Sequence, residues 1–162
     1  MTMAPTADRN YEMRAYISGP LQGSPDLVEA RALYEDVASA VAQAGAEPYV
    51  PHLHTDPEHD NGLSAVDVFR KDVAALNQAN LIIAHVGIPS TGVGAELALA
   101  AVSGIAIVGI ARWTESVSRF AAGLITESGG HLVHFRDSAD LHVQLNQQIA
   151  EAAQHLRDRA AS

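Results

Sequence analysis

The chain has 162 residues, of which 48% are hydrophobic and 18% charged, and its formal net charge is -9 at pH 7. This length and apolar content fit one globular domain over residues 1–162, and the acidity argues against nucleic acid as a partner, because binding a phosphate backbone needs a basic face. Cysteine is absent, which excludes a disulfide framework, a thiolate nucleophile and a cysteine-based zinc site.

The N-terminal segment has none of the marks of an export signal. Residues 1–10 are polar and small, without a basic start or an apolar stretch, and we treat residues 1–12 as a flexible N-terminus. No apolar run approaches the ~20 residues needed to span a bilayer. We therefore expect a cytoplasmic protein with no membrane partner.

Along the chain, apolar runs typical of strands alternate with stretches of helical periodicity. The predicted elements are a strand at 14–18, a helix at 26–44, a strand at 47–50, a polar loop at 51–62, a helix at 65–79, a strand at 81–86, a helix at 92–103, a strand at 105–110, a helix within 115–127, a strand at 132–135 and a helix at 139–159. Apolar strands separated by helices indicate a parallel sheet covered on both faces. We predict an α/β, doubly wound sheet of five parallel strands, with ligands at the carboxyl ends of the strands.

The segment after the third predicted strand is the most informative part of the chain. Residues 89–96 read PSTGVGAE, and their glycines predict a tight turn that opens a helix and presents backbone N–H groups to a ligand. Glu96 is expected in the first turn of that helix, where an acid ordinarily complements the helix dipole. Gly92 and Gly94 favour a functional role instead, since they clear space that a surface helix would not need.

Two other residues have an ordinary explanation beside a functional one. If the strand order is 2-1-3-4-5, the loops after the first and third strands face each other across one crevice. Tyr16 lies on the first strand just before its loop. It is either a core residue or a residue of the functional site. Asp72 follows Phe69, Arg70 and Lys71 in the second predicted helix, a pattern typical of a solvated face.

Four segments, taken in order, resemble a known family. They are 16–20 (YISGP), 71–76 (KDVAAL), 80–84 (NLIIA) and 89–97 (PSTGVGAEL). Together they look like the nucleoside 2-deoxyribosyltransferase superfamily, and most closely its hydrolytic branch, the 2'-deoxynucleoside 5'-phosphate N-hydrolases and related pyrimidine-nucleotide N-glycosidases. The resemblance implies a flavodoxin-like (Rossmann-like) fold and no metal, and we predict no cofactor. It also implies that Glu96 is the nucleophile, that Tyr16 is the family's strand tyrosine and that Asp72 is its helical aspartate.

These three residues suit cleavage of an N-glycosidic bond. Such cleavage passes through an oxocarbenium-like state that a nearby carboxylate, here Glu96, stabilises or captures. Tyr16 is able to donate a hydrogen bond that keeps Glu96 ionised and oriented. Asp72 either protonates the departing base, which requires a raised pKa, or holds the base or sugar by hydrogen bonds.

Ser90 bears on whether the substrate carries a phosphate. Transferases of the superfamily generally place an aspartate here, which holds a free 5'-hydroxyl and would repel a phosphate. Ser90 is neutral and can donate to a phosphate, and with the N–H groups around Gly92 and Gly94 it forms a plausible phosphate site. The alternative is that Ser90 only caps the helix.

The chain departs from the hydrolase pattern at two places. Gln22 stands where the hydrolases have an arginine in the first loop. Their phosphate-binding serine, contributed by a neighbouring subunit, falls near Ala122, with Ser118 one helical turn earlier. Arg119 or Arg112 could supply the missing cation.

The last residues bear on the acceptor of the sugar. Transferases tend to end in a segment with Asn and an aromatic residue that reaches a neighbouring site, and residues 157–162 (RDRAAS) have neither. Water is therefore the expected acceptor.

Further candidates lie in the loops at the carboxyl ends of the strands. The predicted substrate-binding residues of the first loop are Gly19, Leu21, Gln22 and Gly23. The second loop contains the potential ligands His52, His54, Asp56, His59 and Asp60, which suggest a metal site or a contact between His52 or His54 and the nucleobase. His85 faces the same crevice or is a core histidine.

The leading prediction is a hydrolase that releases the base from a (deoxy)nucleoside 5'-monophosphate. The alternatives are a 2-deoxyribosyltransferase acting on nucleosides, a non-catalytic nucleotide-binding module and a flavin-binding protein. The substrate is thus a small nucleotide or nucleoside. We expect a homodimer or higher homo-oligomer with shared active sites, formed through the helix within 115–127 and the apolar face of residues 98–102.

Overall fold

A computed structural model describes residues 13–56 and 62–162. Its elements are β1 (Arg14–Ser18), α1 (Leu27–Gln43), β2 (Glu47–Tyr49), α2 (His52–Thr55), α3 (Ala65–Gln78), β3 (Leu81–His85), α4 (Thr91–Val102), β4 (Ala106–Arg112), α5 (Arg119–Glu127), β5 (His131–Phe135) and α6 (Ser138–Ala160). The strands form one five-stranded parallel sheet in the order β2-β1-β3-β4-β5. The predicted fold class and strand order are confirmed. The predicted flexible N-terminus, residues 1–12, lies outside the described residues.

The sheet separates two apolar layers because successive side chains of a strand point to opposite faces. On β1, Ala15 and Ile17 pack in the layer formed with α1 and α6. Tyr16 packs in the other layer, against residues of α3, α4 and α5. Both layers meet at the central strand β3, where all five residues are buried, as expected for a parallel sheet covered on both sides.

One element differs from the sequence prediction. The predicted polar loop at 51–62 contains the short helix α2, whose turn is closed by a hydrogen bond from the Thr55 hydroxyl to the Pro51 carbonyl (3.0 Å). Four residues with no apolar periodicity give no helical signal, which is why the sequence pattern missed α2.

The remaining helices begin and end close to their predicted bounds. Ser64 and Asp67 form a reciprocal capping box at the start of α3. No helix in the described part of the chain has the length and apolar character required to cross a membrane.

Candidate active site

Strand β1 presents two hydroxyl groups on the same face of the sheet. Tyr16 and Ser18 are two residues apart, so their side chains share a face, and they are 0% and 1% exposed. This is the face covered by α4. A buried hydroxyl needs a hydrogen-bond partner, and both find it in the same side chain.

That side chain is Glu96 on α4. Val93, Leu97 and Ala100 form the buried stripe of this helix, and Glu96 lies beside the stripe, partly buried. The helix begins at Thr91, so Glu96 lies in its second turn rather than in the first turn that the sequence predicted. The helix begins within one residue of its predicted start, but Glu96 is its sixth residue and therefore lies beyond the first turn.

The Glu96 carboxylate accepts one hydrogen bond on each oxygen. The Tyr16 hydroxyl donates to Oε1 over 2.7 Å, which confirms the predicted contact, and the Ser18 hydroxyl donates to Oε2 over 2.5 Å. Burial raises the pKa of Glu96 above its usual value, against the lowering effect of the Ser18 and Tyr16 hydrogen bonds, and the charge of Asp72 raises it further. Sequence reasoning missed Ser18, although its spacing from Tyr16 was the available signal.

Asp72 is half-buried on α3 and not on a solvated face. Its Oδ1 accepts a hydrogen bond from the Thr55 hydroxyl (3.2 Å), so α2 contributes to holding it. Burial raises the pKa of Asp72 above the ordinary aspartate value, while the Thr55 hydrogen bond and the charges of His54 and Lys71 oppose that shift. A raised pKa is what a proton-donating role for this carboxyl requires.

A column of three stacked rings extends from the Glu96 contact toward Asp72. The rings of Tyr16 and Tyr49 lie 5.5 Å apart at 18°, and those of Tyr49 and His54 lie 4.6 Å apart at 8°. Burial, followed by the charge of Asp72, raises the pKa of Tyr49 to about 12. His54, at the end of this column, lies near enough to Asp72 for its charge to affect the pKa of that carboxyl.

The other histidines of the second loop are placed differently. His52 is buried against α1, where its Nε2 lies 3.1 Å from Oε1 of Glu35, so the structure does not bring it to Glu96. Asp56 pairs with Arg31 at 2.8 Å. His59 and Asp60 lie outside the described residues, and no group of three or more potential metal ligands occurs within 13–56 and 62–162.

The start of α4 lies at a cavity of about 410 Å³ lined by Ser90, Gly94, Ser118 and Phe120, among others. Ser90 is the N-cap of α4, and its Oγ accepts a hydrogen bond from the Val93 amide (3.4 Å). Capping uses a lone pair of this hydroxyl, so its proton can still be donated to a ligand.

The two glycines of this segment are helical, not part of a turn. A methyl group at Gly94 would meet nothing within 4 Å, and one at Gly92 would meet only Ser90 Oγ at 3.8 Å. The Gly94 amide donates to the Ser90 carbonyl, so it is committed to the helix and does not contribute to the predicted anion site. Neither glycine is required by protein packing.

The first loop is fixed by Tyr34 of α1. A Cβ at Gly19 would lie 2.2 Å from the Tyr34 ring, and the Tyr34 hydroxyl donates to the Pro20 carbonyl (3.0 Å). Packing therefore accounts for Gly19. Beyond it, Leu21 is partly buried against the core, whereas Gln22 and Gly23 are exposed, and Gly23 has a positive φ of 84°.

A second polar cluster lies at the carboxyl ends of β3 and β4. His85 is 2% exposed; its Nδ1 lies 3.3 Å from the Tyr34 hydroxyl and its Nε2 2.8 Å from Oε2 of Glu115. Arg112 pairs with Glu29 at 2.8 Å. His85 therefore belongs to a buried hydrogen-bond network. Arg112, one of the two arginines considered for phosphate binding, forms an ion pair with Glu29.

A sequence profile described as nucleoside 2-deoxyribosyltransferase matches residues 15–154. The chain belongs to this family. The matched range extends from β1 into α6, so it includes Tyr16, Ser18, Asp72 and Glu96. The resemblance drawn from the four sequence segments is confirmed.

Two relatives within this family carry the provisional name 2'-deoxynucleoside 5'-phosphate N-hydrolase 1. The protein of Thermofilum pendens is 28% identical over 119 residues, which cover 72% of this chain and 81% of that protein. The protein of Methanosarcina mazei is 31% identical over 96 residues, 57% of each chain.

Solved structures share the fold at low sequence identity. A conserved protein of Enterococcus faecalis has a TM-score of 0.67 at 16% identity, covering 86% of this chain and 98% of that one. The CMP N-glycosidase of Clostridium botulinum has a TM-score of 0.62 at 20% identity, covering 83% and 98%. The 2-deoxyribosyltransferase of Bacillus psychrosaccharolyticus has a TM-score of 0.61 at 20% identity, covering 80% and 90%.

Proposed function

We propose that the protein is an N-glycosidase that hydrolyses (deoxy)nucleoside 5'-monophosphates to free base and (deoxy)ribose 5-phosphate, with Glu96 as the nucleophile. The observation that carries the proposal is the geometry of Glu96, whose two oxygens each accept a buried hydroxyl donor. The names of the Thermofilum and Methanosarcina relatives support the same reaction.

The reaction is proposed to take place in two steps through Glu96. One carboxylate oxygen bonds to C1' of the sugar as the bond between C1' and the base nitrogen breaks, and Asp72 protonates the departing base. In the second step Asp72, now ionised, takes a proton from water, whose oxygen bonds to C1' and releases Glu96. Retention at C1' follows from two successive displacements.

The environments of the two acids suit different roles. Burial raises the pKa of Glu96 as well, but the hydrogen bonds from Ser18 and Tyr16 oppose that rise and favour the ionised form that a nucleophile needs. Among the described residues, the Thr55 hydroxyl donates to Asp72, and burial raises the pKa of Asp72, which favours a protonated acid. Two carboxyl groups with unequal environments are the usual basis for dividing nucleophile and acid roles.

Recognition of the 5'-phosphate is assigned to the start of α4. Ser90 is neutral and borders the cavity there together with Ser118, and the first amides of a helix, which have no partner within the helix, favour an anion at its start. An aspartate at position 90 would instead repel a phosphate. This difference supports a nucleotide over a nucleoside substrate.

We also propose a homo-oligomer that forms through the layer of α3, α4 and α5. Large apolar side chains are exposed there, with Phe69 at 61%, Val102 at 84% and Phe120 at 83%, and burying them against another copy would be favourable. Light scattering coupled to size-exclusion chromatography tests the proposed homo-oligomer, and a strictly monomeric mass would contradict it.

The test of the function is chromatographic detection of free base from a panel of ribo- and deoxynucleoside monophosphates and the corresponding nucleosides. Wild-type protein is expected to release base from monophosphates, and Glu96→Gln, which preserves the shape of the side chain, is expected to release none. Release or exchange of bases with nucleosides alone would favour the transferase alternative. No turnover by the folded wild type would favour a binding module.

A further inference from the structure

The carboxylate of Glu96 is held in an unusual way, because each of its two oxygens has its own hydroxyl donor from the same strand. Tyr16 donates to Oε1 and Ser18 donates to Oε2, and Ser18 is 1% exposed. A serine hydroxyl has one proton, and in this position it is directed at Glu96. In the proposed reaction Ser18 is neither the nucleophile, which is Glu96, nor the acid, which is Asp72.

The oxygen that Ser18 holds matters for the sugar. When one oxygen of a carboxylate nucleophile bonds to C1', the other oxygen lies close to C2', because C2' is bonded to C1'. In retaining glycosidases, hydrogen bonds to the hydroxyl at C2 strengthen toward the transition state. In a glycosyl–enzyme intermediate, the second carboxylate oxygen would be an acceptor within reach of that hydroxyl.

We propose that Ser18 makes the site selective for 2'-deoxyribose, by donating to the Glu96 oxygen that would otherwise bind the 2'-hydroxyl of a ribose. This inference rests on the proposed function. With Ser18 in place, a ribose gains little from its extra hydroxyl. It still loses the hydration of that group and, because oxygen withdraws electrons, it bears a less stable positive charge at C1'. A 2'-deoxyribose has neither disadvantage.

The location of Ser18 supports a direct effect on the sugar. The hydroxyl lies at the carboxyl end of β1, the end where ligands bind in a doubly wound sheet. Its neighbour in the sheet is Ala84 of β3, a residue without a polar side chain. Removing the Ser18 hydroxyl therefore leaves Oε2 of Glu96 able to accept a hydrogen bond from the substrate.

The experiment compares kcat/KM for matched pairs of nucleotides that differ only at C2', such as dCMP and CMP or dGMP and GMP. Wild-type protein is expected to favour the deoxynucleotide by about tenfold or more, the effect of one hydrogen bond in a buried site. Ser18→Ala is expected to lose most of its activity on the deoxynucleotide but less on the ribonucleotide, so that the preference narrows about fivefold or more.

Two variants serve as controls. Tyr16→Phe removes the donor to the other oxygen, and it is expected to lower both activities by a similar factor and to leave their ratio unchanged. Ser18→Thr retains a hydroxyl and is expected to preserve the preference for deoxyribose. Thermal melting of each variant shows whether it is folded under assay conditions.

The outcomes separate this inference from the proposed function. Equal losses on both sugars in folded Ser18→Ala, or a wild-type protein that prefers ribose, would overturn the inference and leave the N-glycosidase proposal standing. Absence of turnover on every nucleotide by wild-type protein would overturn the N-glycosidase proposal, and this inference with it.

Discussion

The Nε2 atom of His85 lies 2.8 Å from Oε2 of Glu115, and this contact joins the carboxyl end of β3 to the loop that follows β4. The same Glu115 oxygen accepts a hydrogen bond from the Arg112 amide (2.7 Å). It also lies 1.9 Å from where a Cβ at Gly87 would be. Glu115 thereby joins the carboxyl ends of β3 and β4 next to the segment that leads into Ser90.

Removing this carboxylate is expected to destabilise the fold. Glu115→Ala would leave His85, which is 2% exposed, and the Arg112 amide without their acceptor, and the free energy of unfolding should fall by about 1–3 kcal/mol. Urea denaturation measures the change. Glu47→Ala, which breaks the exposed pair with Arg14, is the control and should cost less than about 1 kcal/mol. Equal losses would show that the His85 network contributes no more than a surface pair.

Gly94→Ala tests whether the absence of a side chain at position 94 leaves room for the substrate. The position is helical and has no neighbour within 4 Å, so alanine should raise the free energy of unfolding by about 0.5–1 kcal/mol. If the substrate approaches the backbone here, KM should rise in the same variant. Thermal melting and steady-state kinetics measure the two effects, and a stabilised variant with unchanged KM would argue against Gly94 as a substrate contact.

Gly19→Ala is expected to behave in the opposite way. The new methyl group would overlap the Tyr34 ring, a buried side chain fixed by its bond to the Pro20 carbonyl. The free energy of unfolding should fall by about 1–3 kcal/mol, as measured by urea denaturation. A stability equal to that of the wild type would mean that the first loop adapts freely around Tyr34.

Ser90→Asp tests recognition of the phosphate without loss of the cap. Aspartate is as good an N-cap as serine, so the melting temperature should change little. Its negative charge should lower kcat/KM for nucleoside monophosphates by about tenfold or more, while activity on nucleosides, if any, should be maintained. An equal loss of kcat/KM on nucleotides and nucleosides would show that Ser90→Asp does not act through the phosphate.

The pH dependence of kcat/KM follows from the two carboxyl groups. Burial raises the pKa of Glu96, so the rate should fall in acid with a midpoint above the ordinary glutamate value of 4.5, as the nucleophile becomes protonated. The alkaline limb should follow deprotonation of Asp72. Asp72→Asn should abolish that limb and reduce kcat by about 10²–10⁴-fold. The acid limb should stay in place, because Asp72 is protonated and uncharged at the pH where Glu96 titrates.

Thr55→Val gives a finer test of the same assignment. The Thr55 hydrogen bond lowers the pKa of Asp72, so its removal should raise that pKa and move the alkaline limb to higher pH. The acid limb is the internal reference. A profile in which only the acid limb moves would contradict the role proposed for Asp72.

The elements could be predicted because the signals for them are local, and the strand order followed from the doubly wound fold that those elements indicate. Five apolar runs separated by helical stretches indicate a parallel sheet. In the predicted order β1 lies beside β3, so Tyr16 on β1 is close to the start of α4, which follows β3. The predicted hydrogen bond between Tyr16 and Glu96 needed no more than that arrangement and the family's motif.

Contacts between distant residues were harder to predict. Ser18 and Glu96 are 78 residues apart, and the one signal for Ser18, its two-residue spacing from Tyr16, places it on the same face of the sheet without indicating its partner. The half-burial of Asp72 depends on α2, an element without periodicity. Gly92 and Gly94 suggested a turn, because glycine disfavours helix interiors, yet the Ser90 cap and the buried stripe of α4 outweigh that preference.

The contact between β1 and Glu96 joins residues that lie far apart in the chain, and this separation sets the order in which they are synthesised. Tyr16 and Ser18 leave the ribosome before their partners, because Tyr16 pairs with Ile82 across β1 and β3, and its hydroxyl acceptor is 80 residues further along. A nascent chain shorter than this holds two hydroxyl groups and no carboxylate between them. A carboxylate acceptor therefore joins these hydroxyl groups only after β1, β2 and β3 have been made, so an incomplete product that ends before Glu96 lacks the hydrogen bonds that hold this cluster together.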